Sequence, residues 1–236
     1  MLIKNGDFIK ITYTGRLESG DIFDTTDAKV AKEEDIFDES AEYGANMIVI
    51  GSGHIVKGLD EDVVGREVGY KGSVKVPPEK GFGERDPALI ETVMISKFEK
   101  RPYPGMRVGI GGRMGTVETV IGRRARVDFN HPLAGKTVVY DYTIEERIKG
   151  TKAKIEGLID LYAHADLDVD IEGDVATVIV PYALSFDQRW LMSKQQIANE
   201  IFAHTKIREV RYVEKHVAPE KKPKKRRNKK ESGPKG

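Results

Sequence analysis

The sequence contains no cysteine, so disulfide bonds and thiolate chemistry are excluded and a reducing compartment such as the cytoplasm is favoured. No apolar run approaches the roughly 20 residues that a membrane-spanning helix needs, and the N-terminus lacks the apolar segment of a secretory signal. The five histidines have no spacing typical of metal ligands. We therefore expect a cytoplasmic protein with no membrane contact, no metal and no cofactor.

Charged residues make up 33% of the chain, and the net charge of +1 conceals an uneven distribution. Between residues 219 and 236 nine Lys or Arg residues stand against two glutamates, so this segment carries +7 and residues 1–218 carry −6. Residues 220–230 contain no apolar side chain, which predicts a disordered basic tail over residues 217–236. Two interpretations stay open: a solubilising tail, or weak electrostatic contact with RNA, most simply at the ribosome.

The stretch from residue 48 to residue 59 organises the N-terminal part of the chain. A short β-branched strand is followed by a Gly-Ser-Gly turn, and then by a helix on which Ile55, Leu59 and Val63 share one face. Gly58 is unusual there, because a glycine inside a helix costs about 1 kcal/mol. It indicates either close packing or room for a ligand to approach.

Two longer alternating segments predict strands on either side of this stretch. In residues 7–17, Ile9, Ile11 and Tyr13 share one face. In residues 137–144, one face carries four apolar or aromatic residues: Val138, Tyr140, Tyr142 and Ile144. Residues 25–46 are polar and acidic, which predicts a long loop with one helical turn.

Several motifs occur in the order found in one enzyme family: Tyr13-x-Gly15, Phe23-Asp24, Ile55-Val56-Lys57-Gly58-Leu59, Gly81-Phe82-Gly83 and Val138-Val139-Tyr140-Asp141-Tyr142. Together they resemble FK506-binding-protein-type (FKBP-type) peptidyl-prolyl isomerases. Asn130-His131-Pro132-Leu133-Ala134-Gly135 is similar to the SlyD branch, whose members carry an extra domain inserted in the flap. Residues 151–216 resemble the C-terminal domain of long archaeal members.

The resemblance implies an α+β fold: an antiparallel half-barrel around a short helix, with an inserted small β domain and a C-terminal α+β domain. The implied division is 1–83 with 128–148 for the isomerase domain, 84–127 for the insert and 151–216 for the C-terminal domain. It leaves open whether the C-terminal domain pairs with a second copy of the chain.

The resemblance also implies the site. Its catalytic residues would be Tyr13, Asp24, Phe82 and Tyr140, and its substrate-binding residues would be Phe23, Ile48, Ile55, Val56, Leu59 and Leu133. The Val56 N–H would hold a substrate carbonyl. Leu59 stands where many members have tryptophan, and Phe82 where many have tyrosine. We therefore expect reduced activity and doubtful binding of FK506.

The insert carries four short β-rich runs, at residues 91–95, 106–110, 114–120 and 123–129. It holds three of the six methionines of the chain: Met94, Met106 and Met114. These side chains either fill a small core or form an adaptable apolar surface that binds unfolded chains, as the resemblance implies.

The C-terminal segment predicts the order α-β-β-α-β. Ile155, Leu158, Ile159 and Tyr162 mark a first helix, and residues 169–171 and 175–180 form a hairpin around Glu172-Gly173-Asp174. Ser185 and Gln188 predict a capping box that opens a second helix, along which Trp190, Ile197 and Ile201 lie. Residues 207–213 close the domain as a strand.

The expected function is isomerisation of X-Pro bonds in folding chains, with chaperone activity through the insert. The alternative is mainly a holdase chaperone, or a ribosome- or RNA-associated folding factor, with secondary isomerase activity. The expected partners are unfolded or nascent polypeptides that contain proline.

Overall fold

A computed structural model describes residues 1–216, so the basic tail predicted over residues 217–236 lies outside the described residues. The elements in chain order are β1 (Phe8–Leu17), β2 (Ile22–Thr25), α1 (Ala28–Glu33), β3 (Asn46–Val49), α2 (Lys57–Val63), β4 (Lys71–Val76), β5 (Ile90–Met94), β6 (Arg107–Ile110), β7 (Arg113–Ile121), β8 (Arg124–Asp128), β9 (Val138–Ile148), α3 (Thr151–Ala163), β10 (Val169–Glu172), β11 (Val175–Val180), α4 (Gln188–His204) and β12 (Glu209–Glu214).

The first sheet is antiparallel, in the order β2-β1-β9-β4, with β3 also paired to β1. The helix α2 packs against it, since Leu59 and Val63 belong to the same buried core as Ile9, Ile11 and Tyr140. The face predicted for β9 is confirmed: Val138, Tyr140, Tyr142 and Ile144 are all buried. This sheet and α2 form the half-barrel.

Gly58 is explained by close packing in α2. A Cβ at this position would lie 2.7 Å from Val76 Cγ1 and 2.9 Å from Val76 Cγ2. Because real Cβ atoms do not approach other atoms so closely, only glycine lets α2 sit this near to β4. Of the two interpretations from the sequence, the packing one is confirmed.

The second sheet has the order β5-β8-β7-β6 and lies between β4 and β9 in the chain. Its strands occur within one residue of the bounds expected from the sequence. A small core of its own holds it together, made of Val93, Val108, Val117, Ala125 and Val127. The insert is therefore an all-β unit, as predicted.

The third sheet, β10-β11-β12, pairs β11 with β12 in parallel. Both α3 and α4 pack on the face that carries Ala176, Val178 and Val180. The order α-β-β-α-β is confirmed, and with it the α+β fold class. No helix among residues 1–216 combines the length and the apolar character needed to cross a membrane.

The predicted capping box of α4 is wrong. Residues Tyr182–Phe186 form a 3-10 turn after Pro181, so the helix begins only at Gln188 and the extended Asp187 is its N-cap. The Asp187 carboxylate accepts the Trp190 N–H at 2.8 Å, whereas the Ser185 hydroxyl donates to Glu214. An aspartate two residues further along provides the same chemistry.

The third unit shares its core with the half-barrel. Phe8 on β1, Met47 and Val49 on β3, and Ile148 at the end of β9 belong to the same buried cluster as the inner side chains of α3 and α4. On β1, Phe8 faces this cluster while Ile9 and Ile11 face the other core. The C-terminal unit thus packs against the back of the half-barrel.

Candidate active site

Four aromatic rings from four segments meet at one side of the half-barrel. The Tyr13 and Tyr140 rings lie edge to face with centroids 5.7 Å apart. Phe23 contacts Tyr140 and Phe82 in the same manner, each at 5.9 Å. The register of β1, β2 and β9 produces this arrangement, because Gly15 pairs with both Asp24 and Tyr140. The structure thus brings these four sequence-predicted residues together.

Gly15 provides the room for two of these rings. A Cβ here would lie 2.8 Å from Phe23 Cζ and 2.8 Å from Tyr140 Cε1. Any side chain would therefore displace one of the rings. The glycine of the Tyr13-x-Gly15 motif is explained by this contact.

Asp24 is the polar group of the cluster. The Tyr13 hydroxyl donates a hydrogen bond to Asp24 Oδ2 at 3.1 Å. Loss of surrounding water raises the pKa of Asp24, although the residue keeps one side open to solvent, and the hydrogen bond from Tyr13 opposes this rise. Burial and the Asp24 charge raise the pKa values of Tyr13 and Tyr140. Both phenols therefore stay protonated at neutral pH and can donate.

The start of α2 packs against the same core as these rings. Ile48 and Leu59 are buried, while Ile55 and Val56 are partly exposed and pack against the same core. Val56 is the N-cap of α2, and no hydrogen bond within residues 1–216 uses its N–H. A helix start leaves such donors free.

Phe82 is stacked on His131, to which the sequence assigned no role beyond membership of a motif. The rings are parallel within 1°, with centroids 4.7 Å apart, and His131 Nδ1 accepts the Leu133 N–H at 3.2 Å. Leu133 itself is half-buried in the same turn and does not belong to the core that holds Phe82. The Asn-His-Pro-Leu-Ala-Gly motif contains His131 but gave no indication of its stacking on Phe82.

Tyr43 is a second residue that the sequence did not indicate. A cavity of about 220 Å³ next to the cluster is lined by Tyr13, Phe23 and Asp24 on one side, and by Ile36 and Tyr43 from the acidic loop on the other. The Tyr43 ring stacks on Phe37. No local sequence pattern indicates this proximity, because the loop reaches the site through contacts between residues distant in the chain.

The three methionines of the insert do not form one surface. Met106 packs against the insert core, whereas Met94 and Met114 are 45% and 58% exposed. Met94 pairs with Arg124 at one end of β8, and Met114 lies on the part of β7 beyond the other end. Ile121 also pairs with Arg124 and is 77% exposed, so Met94 and Ile121 lie in one row.

One group of side chains in the described range has the chemistry of metal ligands. The ligand atoms of Glu42, Asp160 and His164 lie within 4.8 Å of one another, and all three residues are exposed. His164 Nδ1 lies 3.4 Å from Glu42 Oε2. The spacing of the histidines in the sequence gave no indication of this group, which comes together where the acidic loop meets α3.

Three family models match the chain. One described as FKBP-type peptidyl-prolyl cis-trans isomerase matches residues 2–95. One described as FKBP26, IF domain matches residues 92–133, and one described as FKBP26_C-terminal matches residues 151–217. The three matches follow one another along the chain in the order of the three sheets.

Curated relatives cover the N-terminal two thirds. A short-type peptidyl-prolyl cis-trans isomerase of Methanocaldococcus jannaschii is 34% identical over 148 residues, which are 61% of this chain and 94% of the relative. An FKBP-type peptidyl-prolyl cis-trans isomerase SlyD of Treponema pallidum is also 34% identical, over 67% of this chain and 86% of its own. An FKBP-type 16 kDa isomerase of Escherichia coli is 31% identical over 41% of this chain and 70% of its own.

Proposed function

The chain belongs to the FKBP-type peptidyl-prolyl cis-trans isomerase family, and we propose that its active site is the aromatic cluster of Tyr13, Phe23, Phe82 and Tyr140 together with Asp24. The observation that carries this assignment is the meeting of these rings in the core that also holds Val56, whose N–H has no hydrogen-bond partner among residues 1–216. Its substrates are polypeptides, and the finer proposal is that they are folding chains that contain proline.

The chemistry requires no nucleophile. Rotation about the peptide bond has a barrier of about 18–20 kcal/mol because the amide loses its resonance. A pocket that binds the twisted amide about 4 kcal/mol more tightly than the planar one gives a thousandfold acceleration. The aromatic rings exclude water from the prolyl ring, and the Val56 N–H holds a substrate carbonyl. Ile48, Ile55 and Leu59 complete the wall.

Phe82 limits the rate in this arrangement. It offers no hydroxyl to the substrate, so one hydrogen bond worth about 0.5–1.5 kcal/mol is missing relative to a tyrosine. His131 supports the Phe82 ring by stacking. Leu133, which we also expected at the substrate, lies in the turn that holds His131.

The proposed site is tested with a tetrapeptide that contains one X-Pro bond. Phe82→Leu should lower kcat/KM at least several-fold, because it removes a wall of the pocket. Phe98→Leu is the matched control, since Phe98 is a half-buried ring of the insert core. Unchanged kcat/KM in a folded Phe82→Leu variant would exclude the assignment.

The division into domains belongs to the same proposal. The three separate sheets and the three family models support an isomerase domain of residues 1–83 and 128–148, an insert of residues 84–127 and a C-terminal domain of residues 151–216. The cytoplasmic location, which the lack of cysteine favours, stays a prediction.

A second function, chaperone activity of the insert, is favoured by the exposed row of Met94 and Ile121. Both side chains lie beside Arg124 on an open sheet face, and unfolded chains bind to such adaptable apolar surfaces. Met94→Ser with Ile121→Ser should weaken suppression of aggregation of an unfolded protein, with tetrapeptide turnover unchanged. Met114→Ser is the control. Equal holdase activity in all variants would exclude this surface.

Contact with RNA through the tail rests on charge alone. Residues 221–230 carry eight basic side chains, and no aromatic residue is interleaved for base stacking. Binding should therefore be weak, independent of sequence and steeply salt-dependent. Comparison of the full chain with residues 1–218 from low to physiological salt tests it. Identical binding curves would leave the tail without this role.

A homodimer through the C-terminal unit is supported by an apolar patch. Tyr182, Phe186 and Met192 are 61%, 70% and 75% exposed, and Leu191 lies among them in sequence. The same patch on two copies can be covered in a symmetric interface. Phe186→Ser with Met192→Ser should shift a dimer to a monomer in sedimentation. A monomeric wild-type protein at micromolar concentration would exclude this pairing.

A further inference from the structure

The turn that leads into the proposed substrate-binding segment is rich in glycine, and within the half-barrel the Asp60 carboxylate accepts the Gly51 N–H at 2.9 Å. Gly51 and Gly53 adopt positive φ angles of 85° and 75°, and no Cβ at Gly53 would touch any atom. Such glycines lose much conformational entropy when ordered. Contacts that hold this turn therefore determine how well Ile55 and Val56, the next residues, are placed.

His54 links this turn to the C-terminal unit. Its Nδ1 accepts the Val49 N–H at 3.0 Å, and its Nε2 lies 2.9 Å from the Tyr162 hydroxyl on α3. Because Nδ1 accepts this hydrogen bond, the neutral ring carries its hydrogen on Nε2, which donates to the Tyr162 hydroxyl. The two rings meet edge to face at 5.7 Å.

A second contact anchors the other side of the turn to α4. The Ser52 hydroxyl lies 3.0 Å from His204 Nε2, which is 3.1 Å from Glu200 Oε2. Glu200 is only 9% exposed, and its Oε1 accepts from the Tyr162 hydroxyl at 3.5 Å. Both contacts thus end on one buried carboxylate between α3 and α4.

We propose that His54 is a positioning residue for the isomerase reaction, through which Tyr162 and the C-terminal helices hold the turn before Ile55 and Val56. The inference rests on the proposed function, in which the Val56 N–H holds a substrate carbonyl. If the Val56 N–H is already fixed before the substrate binds, no conformational entropy is lost in ordering it when the amide twists. The C-terminal unit then acts on catalysis without touching substrate.

The surroundings keep His54 neutral, as this bonding pattern requires. Burial lowers the pKa of His54, and this effect outweighs the nearby carboxylates of Glu200 on α4 and Asp60 on α2. The His204 ring on α4 acts in the same direction as burial. A proton on Nδ1 would oppose the Val49 N–H and end that hydrogen bond.

Tyr162→Phe breaks the link by removing one hydroxyl, which also donates to the Glu200 carboxylate. We expect kcat/KM on an X-Pro tetrapeptide to fall about 2- to 10-fold, the effect of one hydrogen bond. The amide NMR signals of Ile55 and Val56 should shift. Tyr212→Phe is the matched control: Tyr212 is also a half-buried tyrosine of this unit, and its hydroxyl donates to Lys194 O at 2.7 Å. It should leave both readouts unchanged.

His54→Asn separates positioning from mere stability. Asparagine Oδ1 can take the place of Nδ1 and accept the Val49 N–H, but its side chain is too short to reach Tyr162. We expect the same loss as in Tyr162→Phe, and no further loss in the double variant. Equal losses in Tyr212→Phe, or full activity in Tyr162→Phe and His54→Asn, would overturn the inference. A wild-type protein inactive on the tetrapeptide would instead overturn the proposed function.

Discussion

A single carboxylate, Asp24, lies among the rings of the proposed active site. The contribution of its charge to catalysis can be separated from that of its shape. Asp24→Asn keeps the size of the side chain and weakens the hydrogen bond from Tyr13. We expect kcat/KM on a tetrapeptide to fall about 2- to 10-fold, as one hydrogen bond predicts. Asp21→Asn, an exposed aspartate that accepts from Ser19, is the control. Full activity in Asp24→Asn would exclude a role for the charge.

The pH dependence of Asp24 has a definite sign. Since the folded-state pKa of Asp24 is raised, the active carboxylate should be lost at a higher pH than the ordinary value of about 3.9. The folded chain also binds this proton more tightly than the unfolded chain, so ionisation at neutral pH opposes folding. The pH profile of Asp24→Asn activity should thus lack the loss at acidic pH that this carboxylate causes. At pH 7 the urea midpoint of unfolding of Asp24→Asn should not be lower than that of the wild-type protein.

Residue types in family order were enough to propose a pocket. Tyr13, Phe23 and Tyr140 lie on strands whose alternation is readable, whereas Phe82 lies in a turn. They could not reveal His131 as a support for Phe82, or Tyr43 as a lining residue. Both lie in irregular segments, and their positions depend on long-range packing rather than on local pattern. The capping residue of α4 was missed for a related reason, since a 3-10 turn delays the helix.

At the scale of elements, the approach of α2 to β4 is set by Gly58 and Val76. Gly58→Ala would improve helix propensity by about 1 kcal/mol but push a methyl group against Val76. We expect a net loss of about 1–2 kcal/mol in the free energy of unfolding, measured with urea.

A double-variant cycle checks this explanation of Gly58. Val76→Ala alone opens a cavity, whereas Gly58→Ala with Val76→Ala places the new methyl group in that space. The two losses should therefore be less than additive. Additive losses would mean that Gly58 is required for another reason.

The insert is attached to the isomerase domain by two short segments. Asp86 N–H donates to Asn130 Oδ1, Asn130 Nδ2 donates to Asp86 O, and Arg85 pairs with Asp128 and Glu118. Replacing residues 84–127 with two glycines should leave tetrapeptide turnover within about twofold and lower catalysis on an unfolded protein about tenfold or more. The insert supplies a second contact that raises the effective concentration of proline at the pocket.

A control variant separates the two parts of this result. Arg85→Gln in the intact chain removes the ion pairs of the connection but retains the insert surface. It should keep both activities if the insert acts by binding. Equal loss on both substrates after removal of the insert would mean that the insert supports the active site itself.

At the scale of the whole molecule, the order of units was readable from the sequence, but their packing was not. Alternation shows that Ile9 and Ile11 face inward and leaves Phe8 on the other face, where solvent would be expected. Instead, Phe8 is fully buried against α3 and α4, with Lys154 Nζ 4.6 Å above its ring. Gly157 on α3 lies against Met47 of β3, whose flexible end would have to move to admit a Cβ at 2.9 Å.

Because they share this core, the half-barrel and the C-terminal unit should unfold as one body. Trp190, the only tryptophan of the chain, lies buried in the C-terminal unit and reports that unit in fluorescence. Phe8→Ala in the half-barrel should cost about 3–5 kcal/mol and lower the urea midpoint of Trp190 emission together with that of isomerase activity. Val117→Ala in the insert core is the control, and should leave the emission midpoint unchanged. If Phe8→Ala lowered the midpoint for activity alone, the two units would unfold independently and the shared core would not couple them.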